Sequence, residues 1–368
     1  MEKHRCWAEI DLGAIRHNAG VARKLAGPGG GIMAIVKANA YGHGLPEVVH
    51  ALPDLVAMYG VANVREGRAV RETLGSGGPG VFILGAALPE ERAEIVAGGF
   101  VPAISSLEEA AAYVKAAGGK RLAVHLAIDT GMGRMGVAEE EAGDVVEKIA
   151  RLPALEIAGV ATHLPVADGD LAYTRDQLRR FEAVVKKLRA TGIDAPVIHA
   201  LNSAGVFRFP PDGSGALARV GLTLYGSSPI PELQKLLRPA LALKTRVIQA
   251  RDLPEGHGIS YGRTFITPQP MRVATLAIGY ADGYERHLSG QGADVLIRGK
   301  RCPLLGRVTM DQIMVDVSEA GPVGIGEEAV LIGKSGDEEI LAGELADKAG
   351  TIAWEIFTSI GARVDRVY

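Results

Sequence analysis

Cysteine is nearly missing from this chain: Cys6 and Cys302 are the only two. A disulfide framework and a cysteine metal cluster are therefore excluded. No apolar run approaches the roughly 18 residues of a membrane-spanning helix. The first seven residues pass straight into Ala8-Glu9-Ile10-Asp11 without the apolar core of a signal peptide, so a cytoplasmic protein is expected. No basic block occurs, and 40 Lys+Arg against 43 Asp+Glu leave a net charge of −3. Nucleic acid finds no electrostatic handle there. Aromatics are sparse at 5%, and nine of them are tyrosines, mostly read as packing residues.

What is present is an ordinary globular composition, 47% hydrophobic over 368 residues. That length suggests two domains at about 150 residues each. Glycine is the outlier: 48 residues, roughly twice the usual share. They are not periodic, and many stand just after short β-branched runs, where an α/β chain turns from strand into loop.

Apolar runs at 32–36, 56–62, 81–84, 101–104, 122–128, 157–162, 197–200 and 217–221 read as eight strands. Helical stretches lie between them at 65–73, 107–117, 139–150 and 174–190. In the last, Leu178, Phe181, Val185 and Leu188 recur at helical spacing and leave Arg179, Lys186 and Lys187 outside. Eight strand–helix units over some 200 residues fit an α/β fold of the closed (β/α)8, or TIM, barrel type. The competing architecture is an open doubly wound sheet, which wants a Gly-rich phosphate loop after its first strand. Here Gly27-Pro28-Gly29-Gly30-Gly31 precedes a strand instead and reads as a turn. After Pro239 the character changes. Runs at 243–250, 272–278, 295–298, 313–317 and 329–332 read as strands between Gly, Pro and Asp turns, and only 339–349 and 352–360 look helical. The expected organisation is a barrel over 1–239 and a mostly β domain over 240–368. The piece at 5–10 could be a strand of either.

In such a barrel the C-terminal ends of the strands carry the chemistry. Lys37 follows the first strand, with Tyr41 and His43 just beyond, and Arg134 closes the run Asp129-Thr130-Gly131-Met132-Gly133-Arg134. His163, Asn202-Ser203, Arg219 and Gly221 follow later strands. A lysine after Ile-Met-Ala-Ile-Val is unusual, because lysine is rarely buried without a partner. It is either a strand-end lysine snorkelling to solvent or an amine that condenses with a carbonyl. Two arginines and a serine at the same mouth suggest a bound anion such as a phosphate. The combination points toward a pyridoxal phosphate Schiff base. His163 and His43 taken singly read equally as structural histidines, and no short ligand spacing supports a metal on His43, His163 and Asp129. Tyr261, in Gly258-Ile259-Ser260-Tyr261-Gly262-Arg263, is displayed by turn-forming neighbours.

Val36-Lys37-Ala38-Asn39-Ala40-Tyr41-Gly42-His43-Gly44 resembles the cofactor-lysine signature of the alanine racemases. The resemblance runs nearly the whole chain, through Glu9-Ile10-Asp11-Leu12, His17-Asn18, Thr162-His163 and Arg219-Val220-Gly221-Leu222. It continues in Gly279-Tyr280-Ala281-Asp282-Gly283-Tyr284 and Gly306-Arg307-Val308-Thr309-Met310-Asp311-Gln312. It implies a (β/α)8 barrel plus a β domain, a homodimer with shared active sites, and racemisation of alanine that supplies D-alanine for peptidoglycan. It also implies that Lys37 holds pyridoxal phosphate as an imine, while Tyr41, Ser203, Gly221 and Leu222 grip the phosphate, supported by Asn202. By the same resemblance Arg219 faces the pyridine nitrogen with His163 beside it, and Arg134 approaches the ring hydroxyl and the substrate carboxylate. From the other subunit come Tyr261, the Met310 backbone and Asp311, with Arg307 and Tyr284 at the entrance. Lys37 and Tyr261 are then the two bases that racemisation needs on opposite faces.

Two positions depart from the pattern. Many relatives carry a carbamate-bearing lysine seven residues before the arginine of the Asp129-to-Arg134 run; here that residue is Ala127, so a bound anion such as chloride is a candidate support for Arg134. Some relatives place a phosphate-contacting tyrosine where this chain has Ala362. Three other readings compete. A related amino-acid decarboxylase is disfavoured because Cys302, in Lys300-Arg301-Cys302-Pro303, does not match its cysteine motif. A non-catalytic pyridoxal phosphate carrier would lack the second domain and Tyr261. A racemase shifted toward serine is not distinguished by sequence.

Overall fold

The computed structural model describes residues 4–193, 195–209 and 216–368. Its contacts divide the chain into two units. One comprises Ile15–Ala40 and Leu45–Arg238; the other comprises the N-terminal segment ending at Ala14, Tyr41–Gly44 and Pro239–Tyr368.

In the first unit eight parallel strands run in the order Leu217–Val220, Gly31–Ile35, Met58–Val61, Gly80–Ile83, Val101–Ile104, Leu122–Asp129, Leu155–Ala161 and Val197–His199. A parallel bridge between Ile198 and Ala216 joins the last strand back to the first, closing the ring. The strands follow the short apolar runs of the sequence, and Ile32, Met33, Val81, Ile83, Val124, Leu126 and Val220 on them are fully buried. Helices Val64–Leu74, Leu107–Ala117, Ala142–Ala150 and Leu171–Ala190 stand where the apolar spacing puts them. Their starts are chemically marked. Asn63, Ser106 and Asp170 each accept a backbone N–H three residues on, satisfying donors that a helix leaves open. The opening motif is structural here. Buried Asn18 donates to the Leu224 and Arg238 carbonyls and accepts from the Arg238 N–H, pinning the exit of the barrel to its first helix.

The second unit is built on a nine-stranded sheet whose long member, Leu241–Leu253, alternates buried and part-exposed residues over most of its length. That strand pairs with Met271–Leu276, Glu328–Ser335 and Cys6–Ile10. The ambiguous N-terminal piece is thereby placed. Cys6–Ile10 is antiparallel to Leu241–Leu253 on one edge and parallel to Asp365–Val367 on the other, so the residues up to Ala14 group with the β-rich unit rather than with the barrel. Two further strands, Lys300–Leu305 and Glu338–Ile340, are ones the apolar pattern does not announce, and the helix expected from 339 begins at Ala342. Among the described residues no helix is long and apolar enough to cross a membrane.

Candidate active site

At the barrel mouth, Lys37 stands two residues beyond the first strand and is half-buried. The four residues after it, Ala38, Asn39, Ala40 and Tyr41, all have φ between +52° and +54°. Left-handed backbone costs a non-glycine residue roughly 1–2 kcal/mol, so this turn needs outside support. Ala40 N–H donates to the Val36 carbonyl at 2.9 Å, Leu45 N–H to Asn39 Oδ1 at 2.9 Å, and Ala38 N–H to Glu66 Oε1 at 2.8 Å. Burial pulls the Lys37 ammonium below its ordinary range, the Arg134 charge pulls the same way, and Glu66 opposes both. A larger neutral fraction follows, which is what an amine nucleophile needs.

Arg219, on strand Leu217–Val220, is 6% exposed and pairs with no carboxylate among the described residues. It donates instead to the carbonyls of His199, Thr162 and Ala200, and its nitrogens reach His199 Nδ1 at 2.9 Å and His163 Nδ1 at 3.1 Å. Burial, with help from Arg134, lowers it to about 10, and it stays a cation at neutral pH. Both imidazoles must then accept. Burial first, then Arg219, Arg134 and Lys37, hold His163 down at about 3. His199 passes the pattern on, its Nε2 lying 2.9 Å from His125 Nδ1 beneath the ring of Phe82. His125 and His199 were not singled out from the sequence. Their signal was a polar residue inside a β-branched strand of a packed barrel.

Asn202 caps the short helix Ser203–Arg208 through Gly205 N–H and donates to the Leu164 carbonyl. Ser203 Oγ in turn accepts from Gly221 N–H at 3.1 Å and Thr223 N–H at 3.4 Å, which brings Ser203, Gly221 and Leu222 together at the ends of two strands. The Asp129 carboxylate accepts from the N–H groups of Gly131, Met132 and Gly133 and so builds the loop that carries Arg134. Arg180 and Gln177 hold that loop by its Thr130 carbonyl. Arg134 itself is exposed.

The β-rich unit holds the remaining residues. Tyr261 is 72% exposed on a turn in which Ser260, Gly262 and Arg263 all have positive φ; Ser260 Oγ donates to the Arg307 carbonyl at 2.6 Å. Met310 is exposed, and its backbone is set by Ala281 N–H donating to its carbonyl. Arg363 pairs with Asp311 at 2.8 Å and with buried Asp282 at 3.1 Å. Tyr41 and His43 are buried in this unit, and burial pushes the Tyr41 phenol up to about 12. Tyr284 is 1% exposed in this unit, and burial first raises its phenol. Among the described residues no group of three or more His, Cys, Asp or Glu side chains could hold a metal ion.

The three buried or half-buried histidines carry a pH prediction. Each is held below its unfolded value near 6.5, to about 3 for His163 and about 4 for His125. Protons therefore bind the unfolded chain better. The stability tied to the neutral rings is fully present above about pH 6.5 and is lost as pH falls toward those lower values. Thermal unfolding followed from pH 7.5 down to 4.5 is expected to give a Tm that drops progressively below about pH 6.5. A flat Tm across that window would contradict the assignment.

A closed barrel whose mouth combines a half-buried lysine with two arginines and a hydroxyl defines an enzyme for small anionic molecules. Comparison with known proteins narrows that class. Residues 10–229 match the family described as alanine racemase, N-terminal domain, and residues 240–368 match alanine racemase, C-terminal domain. The alanine racemase of Carboxydothermus hydrogenoformans is 44% identical over 369 residues, covering 98% of this chain and 99% of its own length. That of Symbiobacterium thermophilum is 43% identical, covering 98% and 96%. Among solved structures, the Bacillus anthracis alanine racemase with bound L-Ala-P has a TM-score of 0.90 at 35% identity, covering 100% of this chain and 95% of its own. The Clostridium difficile 630 enzyme in complex with cycloserine has a TM-score of 0.89 at 30% identity, covering 100% and 96%. The chain belongs to the alanine racemase family, whose members are pyridoxal phosphate-dependent isomerases.

The donor set at the mouth fits that cofactor. Lys37, Arg134 and Arg219 supply three cations against one nearby carboxylate, Glu66, and Ser203 adds a hydroxyl beside the Gly221 and Thr223 amides. A phosphate dianion and a carboxylate suit such a surface, and a lysine whose ammonium is disfavoured by burial suits an aldehyde.

Proposed function

We propose that this chain interconverts L- and D-alanine with pyridoxal 5'-phosphate held by Lys37, using Lys37 and Tyr261 as the two bases, and that it supplies D-alanine for peptidoglycan in the cytoplasm. The observation that carries the reading is the grouping of Lys37, Arg134, His163 and Arg219 at one mouth, each electrostatically coupled to another of the set. When bound, the cofactor's conjugated ring withdraws electrons from the substrate Cα–H bond and makes that proton acidic.

The side chains then divide the work. Lys37 Nζ takes or returns the proton on one face of Cα, and the Tyr261 hydroxyl of the partner subunit does so on the other. Arg134 binds the substrate carboxylate, with the Met310 backbone beside it. Tyr41, Ser203, Gly221 and Leu222 hold the phosphate, and Asn202 fixes the helix that carries Ser203. Protonated Arg219 faces the ring nitrogen and withholds a proton from it. Neutral His163 accepts from Arg219 and adds no second charge. Residues 240–368 complete the partner's site in a homodimer, with Asp311 and Arg307 lining the approach. The direct test is chiral analysis of the alanine pool after incubating L-alanine with purified protein and pyridoxal phosphate. An unchanged L-alanine pool would overturn the reading.

Substrate range follows from the mouth and from Ala362. A methyl side chain asks only for a small pocket, and alanine leaves more space than a tyrosine at that position. One small added group is worth about 1–3 kcal/mol of discrimination. Alanine is therefore expected first and serine as a minor substrate, with Ala362→Tyr narrowing the range further. The measurement is kcat/KM for L-alanine and L-serine side by side. A serine value at or above that for alanine would move the substrate assignment and leave the two-base scheme standing.

A further inference from the structure

The left-handed turn behind Lys37 has an anchor outside the segment itself. Glu66 sits in the first turn of helix Val64–Leu74, where its N–H meets the cap residue Asn63 at 3.1 Å. One carboxylate oxygen, Oε2, accepts from Ala62 N–H at 2.8 Å; the other, Oε1, accepts from Ala38 N–H at 2.8 Å. A single side chain thus ties together the segments that leave the first and second barrel strands. Ordinary capping explains only half of this. Glu109 occupies the same place in helix Leu107–Ala117 and accepts from Ser105 N–H at 2.8 Å, the counterpart of the Ala62 contact. The bond to Ala38 is the addition, and it falls on the peptide unit that joins Lys37 to Ala38.

We propose that Glu66 is a positioning residue for Lys37, whose carboxylate locks the Lys37–Ala38 peptide and the left-handed turn behind it so that the amine stays aimed at the reacting carbon. The proposal rests on the reading of Lys37 as a proton-carrying base. A carboxylate accepting from two backbone N–H groups makes charge-assisted bonds of the stronger kind. Misplacement of a reacting group by about 1 Å costs on the order of a hundredfold in rate, so a rigid turn here has value that a helix cap alone lacks. Glu66 is also the acid that raises the Lys37 amine against Arg134; His163, coupled to the same amine, is neutral.

The test uses the full-length enzyme and three variants, Glu66→Gln, Glu66→Asp and Glu109→Gln. In Glu66→Gln the amide cannot accept from both N–H groups. Exchange of the Ala38 amide is expected to quicken roughly ten- to a hundredfold, and kcat to fall about tenfold with KM for L-alanine within about twofold. The acidic limb of the kcat profile should move to lower pH. Glu66→Asp keeps the charge but lacks the reach, so exchange should quicken while that limb stays in place. Glu109→Gln should match wild type in all three. Wild-type exchange and pH profile in Glu66→Gln would overturn the proposal, and so would losses in Glu109→Gln equal to those in Glu66→Gln, because capping would then account for both. Full turnover in Lys37→Ala would remove the underlying reading as well. A dead Lys37→Ala beside a wild-type Glu66→Gln would remove the Glu66 proposal alone.

Discussion

Replacing Lys37 by alanine is expected to leave a folded protein whose racemisation of L-alanine is at least about a thousandfold slower and which no longer takes on the visible colour of bound pyridoxal phosphate. The side chain stands at a strand end, half-buried and outside the buried apolar core. What the variant removes is the one lysine among the described residues whose ammonium burial and Arg134 pull below its ordinary range. Lys37→Arg separates charge from chemistry. A guanidinium keeps the cation but stays protonated, so it neither condenses with an aldehyde nor takes a proton from carbon. Both variants should therefore be colourless and inactive at a Tm close to wild type. Visible absorbance, a chiral assay for D-alanine and a melting curve on the same samples decide it. Lys37→Ala with full turnover would end the assignment of this residue.

The barrel was legible because each of its strands is a short, mostly apolar run stopped by glycine or a polar residue, a pattern that local sequence carries by itself. Strand Lys300–Leu305 was not, since Arg301 and Pro303 interrupt it; its place is set by pairing with Asp294–Ile297 and Ile313–Asp316. Cys6–Ile10 could not be placed for a different reason. Both of its partners lie more than two hundred residues away, in Leu241–Leu253 and Asp365–Val367, and no local signal encodes such a choice. Lys37, Arg134, Ser203 and Arg219 were visible as polar residues at strand ends. The conformation around Lys37 was invisible, because Ala38, Ala40 and Tyr41 are residues that avoid positive φ unless tertiary bonds impose it. Glu66, which supplies one of those bonds, reads in sequence as an unremarked acid in the first turn of a helix. Its role appears only when the neighbouring strand end is brought beside it.

Two inactive chains, mixed, are expected to make an active enzyme. The barrel mouth offers Lys37 as one base, and the second base proposed here, Tyr261, is carried on the other unit at 72% exposure, on a turn held by Ser260 and backed by the Arg307 guanidinium. A tyrosine so exposed spends no burial energy within its own unit, which suits a side chain completed by a second copy of the chain. If each site takes Lys37 from one subunit and Tyr261 from its partner, Lys37→Ala and Tyr261→Phe homodimers are both dead. A heterodimer holds one doubly damaged site and one intact site. Random exchange of equal amounts places half of the chains in heterodimers, so about a quarter of wild-type turnover should return, by the pairing statistics of a two-fold dimer. Tyr261→Phe removes only a hydroxyl and keeps the turn, and Lys37→Ala leaves the β-rich unit untouched. Restoration should therefore track subunit exchange, followed independently with differently tagged chains. Exchange without restoration would place both bases in one subunit and refute the shared site. Restoration near a quarter would fix Tyr261 as the base contributed across the dimer.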